Sequence, residues 1–377
     1  MLDLKRQYQP LHQELLAALE HVLETQQFIL GEQVSAFEQA AAAQLSVAHA
    51  MGCSSGTDAL WLALAAAGIG PGHSVITTPF SFFASVSSIL RAGARPILAD
   101  IDPASFNLSP AAVEAELNSP HGAAVRAILP VHLYGQCVSW DAFSDLGKAR
   151  GLTLIEDAAQ AWGAEWNGVK AGALGHAAAF SFYPTKNLSA AGDAGMVTTN
   201  SAEVAGRVRS LRQHGMTRRY HHDELGWNAR MDGFQGAVLL VKLKYIEQWN
   251  ESRRQVAARY HALFRKAGLA EPGLYPAHGI VLPQELPGSR HVWHQYVIRA
   301  PRRDALREFL AARQIGSEIY YPVPLHLQDA LKGLGYVEGD FPEAERAARE
   351  VLALPIFLEL REDEQETVVA AIAEFFS

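Results

Sequence analysis

From about residue 48 to residue 199 the chain alternates short apolar runs with helix-forming stretches, and this alternation constrains the fold more than any other feature. Strand-like runs fall near 48, 74, 95, 125, 152, 178 and 195, with helical stretches near 58, 83, 109, 140 and 201. Runs this short and apolar suit strands buried on both faces, and strand–helix alternation gives a mainly parallel sheet with helices on both sides. Ahead of it, residues 10–25 and 31–44 read as amphipathic helices. Behind it, a helical stretch from Asp232 to Ala267 carries Met231, Leu239, Leu243 and Ile246 at helical spacing. From about 270 the pattern changes to Pro- and Gly-rich loops, a strand at Trp293–Arg299, a helix near 302–314 and terminal helices near 342–352 and 363–376. At 377 residues the chain has length for two domains. The expected organisation is an α/β fold: a large domain over 1–245 with a seven-stranded sheet, and a smaller α+β domain over 246–377.

Open α/β sheets bind ligands at the carboxyl ends of their strands, and three segments supply chemistry there. Ala177-Ala-Ala-Phe-Ser-Phe182, bounded by Gly175 and Pro184, reads as a buried strand that ends just before Lys186. A lysine on such a loop loses hydration, which lowers its pKa and makes the neutral, nucleophilic amine accessible. Leu152-Thr-Leu-Ile-Glu-Asp157 delivers carboxylates at a strand end, where Asp157 either holds a cationic ring nitrogen or caps the next segment. Ser54-Ser-Gly56-Thr57-Asp58 opens a strongly helical stretch, so its free N–H groups either cradle a phosphate or are closed by an ordinary Ser/Thr cap. No Walker motif or GxGxxG pattern is present, which argues against ATP and NAD.

In this order, with Leu2-Asp-Leu-Lys-Arg-Gln-Tyr8, Phe28-Ile-Leu-Gly31, Thr78-Pro-Phe-Ser-Phe82, Val131-His-Leu-Tyr-Gly-Gln136, Gly226-Trp-Asn-Ala-Arg-Met-Asp232 and Tyr321-Pro-Val-Pro-Leu-His326, these segments resemble the DegT/DnrJ/EryC1/StrS family of pyridoxal phosphate-dependent sugar aminotransferases. The resemblance covers nearly the whole chain. It implies the fold type I architecture and pyridoxal 5′-phosphate, or its aminated form PMP, as cofactor. Lys186 matches the Schiff-base lysine that also shuttles the proton, Asp157 the partner of the pyridine nitrogen, and Gln160 the group beside the ring hydroxyl. Phe82 falls where an aromatic ring stacks on the cofactor, and Gly56, Thr57 and Ser181 match the phosphate-binding groups. Asn228 matches a residue that reaches the neighbouring subunit's cofactor phosphate, implying a homodimer with shared active sites. Arg230, Tyr321 and His326 fall in segments lining the substrate side. The implied reaction moves an amino group from glutamate to a keto group of a nucleotide-linked sugar. The Tyr183-Pro-Thr-Lys-Asn187 form is closer to members acting at carbon 3 of the hexose. A 4-keto sugar or keto-cyclitol substrate, sugar dehydration, and a non-catalytic cofactor-binding regulator are the alternatives.

Taken singly, several of these residues have plainer readings. Phe82 sits among Phe80 and Phe83 and could be a core aromatic, Arg230 could pair with Asp232, and His326 could be a satisfied loop histidine. Arg212, Arg218 and Arg219 lie close enough to Asn228 to help with a nucleotide diphosphate or, equally, to cover a solvated face. Two departures from the family pattern, Gly192-Asp-Ala-Gly195 and Gln235-Gly236-Ala237, each exchange one small residue for another. No HxxxH or CxxC spacing joins the 15 histidines and two cysteines, so neither a metal site nor a disulfide framework is expected. A net charge of −8 argues against nucleic acid as a partner. The start lacks a signal-peptide core and the alanine-rich stretch 59–67 is too short for a bilayer, so a cytoplasmic protein without membrane contact is expected.

Overall fold

A computed structural model describes residues 2–270 and 279–377. Part of the Pro- and Gly-rich segment expected after 270 thus lies outside the described residues. A seven-stranded sheet runs in the order His49–Cys53, Gly195–Thr199, Ala177–Ser181, Thr153–Asp157, Val125–Ile128, Ser74–Thr77, Arg95–Leu98. Every strand points the same way except Gly195–Thr199, which pairs antiparallel with both its neighbours.

Residues alternate between the two faces of a pleated strand, and both faces here are covered. Ile76, Ile97, Ile128, Leu154 and Phe180 join one core with the helices Gly31–Leu45 and Gly233–Leu243. Val75, Leu98, Ala127, Ile155 and Val197 join the other with Gly56–Ala66 and Ala84–Arg91. The helices start where hydroxyl caps predict: Ser55, Ser109 and Ser201 accept from the N–H groups of Asp58, Ala112 and Val204. Gly236 explains one departure from the family pattern, because a Cβ there would meet Val34 at 2.9 Å in the neighbouring helix.

A third core gathers Val256, Tyr260 and Phe264 with Leu306, Leu310, Leu352, Val368 and Ile372 beneath the pair Tyr296–Arg299 and Val351–Leu354. The structure differs from expectation in two elements. The stretch expected to be one helix from Asp232 is two, Gly233–Leu243 and Ile246–Lys266, separated where Tyr245 stacks on Trp249 at 6.1 Å and donates its hydroxyl to Glu14. The helix expected to reach 352 stops at Glu350, and Val351–Leu354 is instead a fully buried strand held by its antiparallel partner.

Candidate active site

The rim at the carboxyl ends of the parallel strands opens into a cavity of about 810 Å³. Because Gly195–Thr199 runs in reverse, its beginning shares this rim, and Asp193 lines the cavity beside groups delivered by strand ends. Gly56, Thr57, Phe82, Asp157, Gln160, Ser181, Lys186 and Tyr321 all line it. Eight sequence-predicted residues, from 56 to 321, thus meet in one place.

Lys186 follows the strand Ala177–Ser181 on a turn closed by its own N–H to the Tyr183 carbonyl at 2.8 Å. Enclosure by protein lowers its amine to about 8, with Asp157 acting in the opposite sense. Asp157 ends the neighbouring strand and is buried. Its Oδ2 accepts from the Ser85 hydroxyl at 2.7 Å and its Oδ1 from the Ala159 N–H at 3.2 Å. Burial raises its pKa above the ordinary carboxylate value, against the pull of those two donors, Lys186 and His132. The acidic pair at this strand end divides between the faces. Glu156 turns into the core, where the N–H groups of Gly172, Leu174 and Gly175 and the ring of His132 saturate it. Asp157 keeps the cavity side.

At the first strand's end, the helix Gly56–Ala66 points its start at the cavity. Ser55 Oγ is already committed to the Asp58 N–H at 3.0 Å, so the hydroxyl cap reading holds for Ser55. Gly56 and Thr57 lie beyond that cap, in the first turn, whose N–H groups have no intrahelical acceptor. Residue 56 must be glycine for this approach, because a Cβ would come within 2.5 Å of Ser181 Cβ. Gln160 is fixed at both ends: its Oε1 accepts from the Tyr134 N–H at 2.6 Å and its Nε2 donates to the Tyr321 hydroxyl at 3.3 Å. Burial and the Asp157 charge keep the Tyr321 phenol protonated. Phe82 is 59% exposed and faces the cavity, so it is no core aromatic.

Three predicted residues are not brought to this cavity. Asn228 and Arg230 project outward from a strip whose alternate residues, Ala229 and Met231, are buried, and Arg230 Nε donates to Asn228 Oδ1 at 3.1 Å. His326 corrects its expectation: it is buried and does not line the cavity, its Nε2 paired with Glu345 at 3.0 Å and its ring edge-on to Phe341. Arg212 is buried, its Nη1 bonding Glu38 and the Gly52 carbonyl at 2.6 Å each, so it covers no solvated face. Arg218 and Arg219 are exposed on a short hairpin. Conversely, sequence reasoning missed His294, Gln295, Glu318 and Tyr320, which line the cavity from the chain's last third. His294 and Gln295 fall in the strand expected at Trp293–Arg299, but its destination beside Lys186 was not legible, and no element was expected at Glu318 and Tyr320. Among the described residues no group of His, Cys, Asp and Glu could hold a metal, and no helix is long and apolar enough to cross a membrane.

With this geometry in view, the sequence pattern of the DegT/DnrJ/EryC1/StrS aminotransferase family matches residues 9–373. A protein named "Pleiotropic regulatory protein" from Geobacillus stearothermophilus is 48% identical over 376 residues, covering 100% of this chain and 98% of that one. The UDP-N-acetyl-3-dehydro-alpha-D-glucosamine 3-aminotransferase of Acidithiobacillus ferrooxidans is 40% identical over 376 residues, covering 99% and 96%. The crystal structure of S. venezuelae DesV in complex with a ketimine intermediate superposes with a TM-score of 0.93 at 40% identity, covering 100% of this chain and 97% of that one.

Proposed function

The chain belongs to the DegT/DnrJ/EryC1/StrS aminotransferase family, and from that premise we propose that it aminates a keto group of a nucleotide-linked sugar with pyridoxal 5′-phosphate as cofactor. The observation that carries this reading is the pairing of a lysine lowered to about 8 with a buried carboxylate in one cavity. The residues present fit that cofactor. A carboxylate whose pKa burial has raised is relieved by a cationic ring nitrogen, and a helix start that tolerates only glycine against Ser181 suits a phosphate.

When bound, the cofactor supplies an electron sink for a carbanion beside nitrogen. The remaining work belongs to the protein. We assign Gly56, Thr57 and Ser181 to the phosphate, Phe82 to the ring face, Gln160 to the ring hydroxyl and Asp157 to the ring nitrogen. Asp157 holds a proton on that nitrogen, and Ser85 and the Ala159 N–H fix the angle of its carboxylate. Lys186 Nζ takes a proton from the donor's alpha carbon and returns one to the sugar carbon. An amine poised near 8 exchanges protons in both directions near neutral pH.

Glutamate is the donor in this proposal, and the relative's 3-amino product supports carbon 3 as the site of amination. Asn228, turned outward, is assigned to the phosphate of a second copy in a homodimer, with Arg230 beside it toward the substrate; sedimentation velocity checks the dimer. Two buried, unpaired thiols suit the cytoplasm. A third core, whose buried residues all fall within 256–372, supports a smaller domain over 246–377 beside a large one over 1–245. The first two cores reach across that boundary through residues such as Trp249, Val292 and Leu325. The test is mass analysis of a panel of 3-keto and 4-keto nucleotide hexoses and a keto-cyclitol, each with glutamate. Amination of a 3-keto nucleotide sugar is expected, and failure to aminate any member sinks the proposal. A regulatory role is a second reading, favoured by the name of the Geobacillus relative. Turnover in the same panel decides against a purely regulatory protein.

A further inference from the structure

A second cavity, of about 360 Å³, opens at the other end of the sheet, where the strands Ser74–Thr77 and Arg95–Leu98 begin. It shares no lining residue with the cavity that holds Lys186, and the strand Ser74–Thr77 puts about 10 Å between the two. Ser74 and Arg95 are register partners on adjacent parallel strands, and strand alternation puts both on the face of Ile76 and Ile97. Another wall is the turn Gly122–Ala124, which leads into the strand on the far side of Ser74. Gly122 lets that turn close on the helix Pro110–Asn118, because a Cβ there would come within 2.1 Å of the Leu117 carbonyl oxygen. Arg126 braces the turn, its Nη1 donating to the Ala123 and Val125 carbonyls at 2.9 and 2.8 Å.

The polar groups gathered here are donors with little to donate to. The His73 carbonyl is taken by the Arg95 N–H at 2.9 Å, and the Ala123 carbonyl by Arg126. His73 Nδ1 accepts from the Gly70 N–H at 3.4 Å, which leaves Nε2 as the N–H of its ring. Among the described residues the Arg95 guanidinium and the His121 ring make no hydrogen bond or ion pair, and no carboxylate lines the cavity. Ser74 is only 4% exposed, yet its hydroxyl also lacks a partner among the described residues. Buried hydroxyls are ordinarily satisfied, so an unpaired one beside an unpaired guanidinium calls for a ligand. We propose that this cavity binds a phosphoryl group, the Arg95 fork bridging two of its oxygens while the Ser74 hydroxyl, His73 and His121 donate to it. A planar guanidinium matches that geometry better than any other side chain. The volume is larger than a bare phosphate needs and falls in the range of small-molecule sites. With Ile97, Pro120 and Ala124 as apolar wall, it suits the phosphate monoester of a small carbon skeleton. The site owes nothing to the aminotransferase reading.

The test is isothermal titration calorimetry on cofactor-loaded protein, in which the phosphate position assigned at Gly56 is already filled. Inorganic phosphate and glycerol 3-phosphate are the probes. One saturable site per chain is expected, with a Kd of about 1 mM or tighter. Arg95→Met, at an exposed side chain, should weaken binding about tenfold or more, and Ser74→Ala about fivefold. Tighter binding of glycerol 3-phosphate identifies an ester as the ligand, and equal binding of the two probes identifies free phosphate. Absence of a saturable site, a Kd that Arg95→Met leaves within about twofold, or equal displacement by chloride overturns the proposal. Should the variants fail to fold, unaltered protein labelled with 15N in its histidines decides. The ring resonances of His73 and His121 should move with the same saturation, while that of His326, buried against Glu345, stays in place. Resonances of His73 and His121 that ignore both probes overturn the site as well.

Discussion

Lys186 and Lys242 are both stripped of most of their water, and burial lowers both amines to about 8. Their surroundings differ. Lys186 looks into a cavity of about 810 Å³ that also holds the Asp157 carboxylate. Lys242, on the helix Gly233–Leu243, donates to the Ser189 hydroxyl at 3.0 Å, and among the described residues no carboxylate acts on its titration. Depressed basicity is thus a product of enclosure anywhere in a protein. It becomes chemistry only where the amine also has an opening and a charged partner placed to use it.

The strongest way to break this contrast is to remove each amine in turn. Lys186→Ala should abolish both the visible absorbance of bound cofactor and turnover, a loss of about 10⁴-fold or more, as befits a residue that is both nucleophile and proton carrier. Lys242→Met should keep both within about threefold. If the two variants behave alike in absorbance and rate, the distinction between them fails.

A smaller effect is expected at the cavity's other corner. Gly56→Ala forces a Cβ to within 2.5 Å of Ser181 Cβ. The resulting shift should cost about 1–3 kcal/mol of stability and weaken cofactor retention about tenfold. Unaltered retention, measured by equilibrium dialysis, removes Gly56 from the phosphate site.

The smallest effect concerns Lys242 alone and is read from stability against pH. Below about 8 both folded and unfolded chains hold the Lys242 proton, and the cost of enclosing the charge is fully present. Between about 8 and the ordinary lysine value near 10.4 the unfolded chain holds more protons, so stability should rise with pH. Lys242→Met should flatten that rise and add about 1–2 kcal/mol at pH 7. Urea unfolding of cofactor-loaded protein at about pH 7 and 9.5 makes the comparison, because Lys186 adds a rise of the same sign only when its amine is free. A variant that keeps the full rise contradicts the assignment to Lys242.

The residues also show what a sequence can reveal. Ala177–Ser181 was readable as a buried strand because Gly175 and Pro184 bound it, and Ser55 announced the helix it caps. Direction was not readable: the apolar run at Gly195–Thr199 has the same composition whether it runs with the sheet or against it. Neither was the helix break at Tyr245, which no proline or glycine marks and which depends on Glu14. Residues that spacing misplaced or left open answer to distant partners. His326 is claimed by a hydrogen bond to Glu345 and Arg212 by an ion pair with Glu38, contacts that only the folded chain assembles. His294 was passed over for the same reason, its partner Asn187 lying 107 residues away.

The reversed strand has a further consequence. Since Gly195–Thr199 returns directly alongside Ala177–Ser181, with Gly195 opposite Ser181, the segment carrying Lys186 is stapled at both feet to adjoining central strands. Two of its amides are bonded inward as well, Phe182 N–H to the Ala194 carbonyl and Ala190 N–H to the Phe182 carbonyl, each at 2.8 Å. Feet held in this way have no inexpensive opening of their own. The Phe182 and Ala190 amides exchange with solvent hydrogen only when these two strands part, while exposed positions such as Tyr183 and Thr185 exchange sooner, so the nucleophile is held from its feet by a durable part of the molecule.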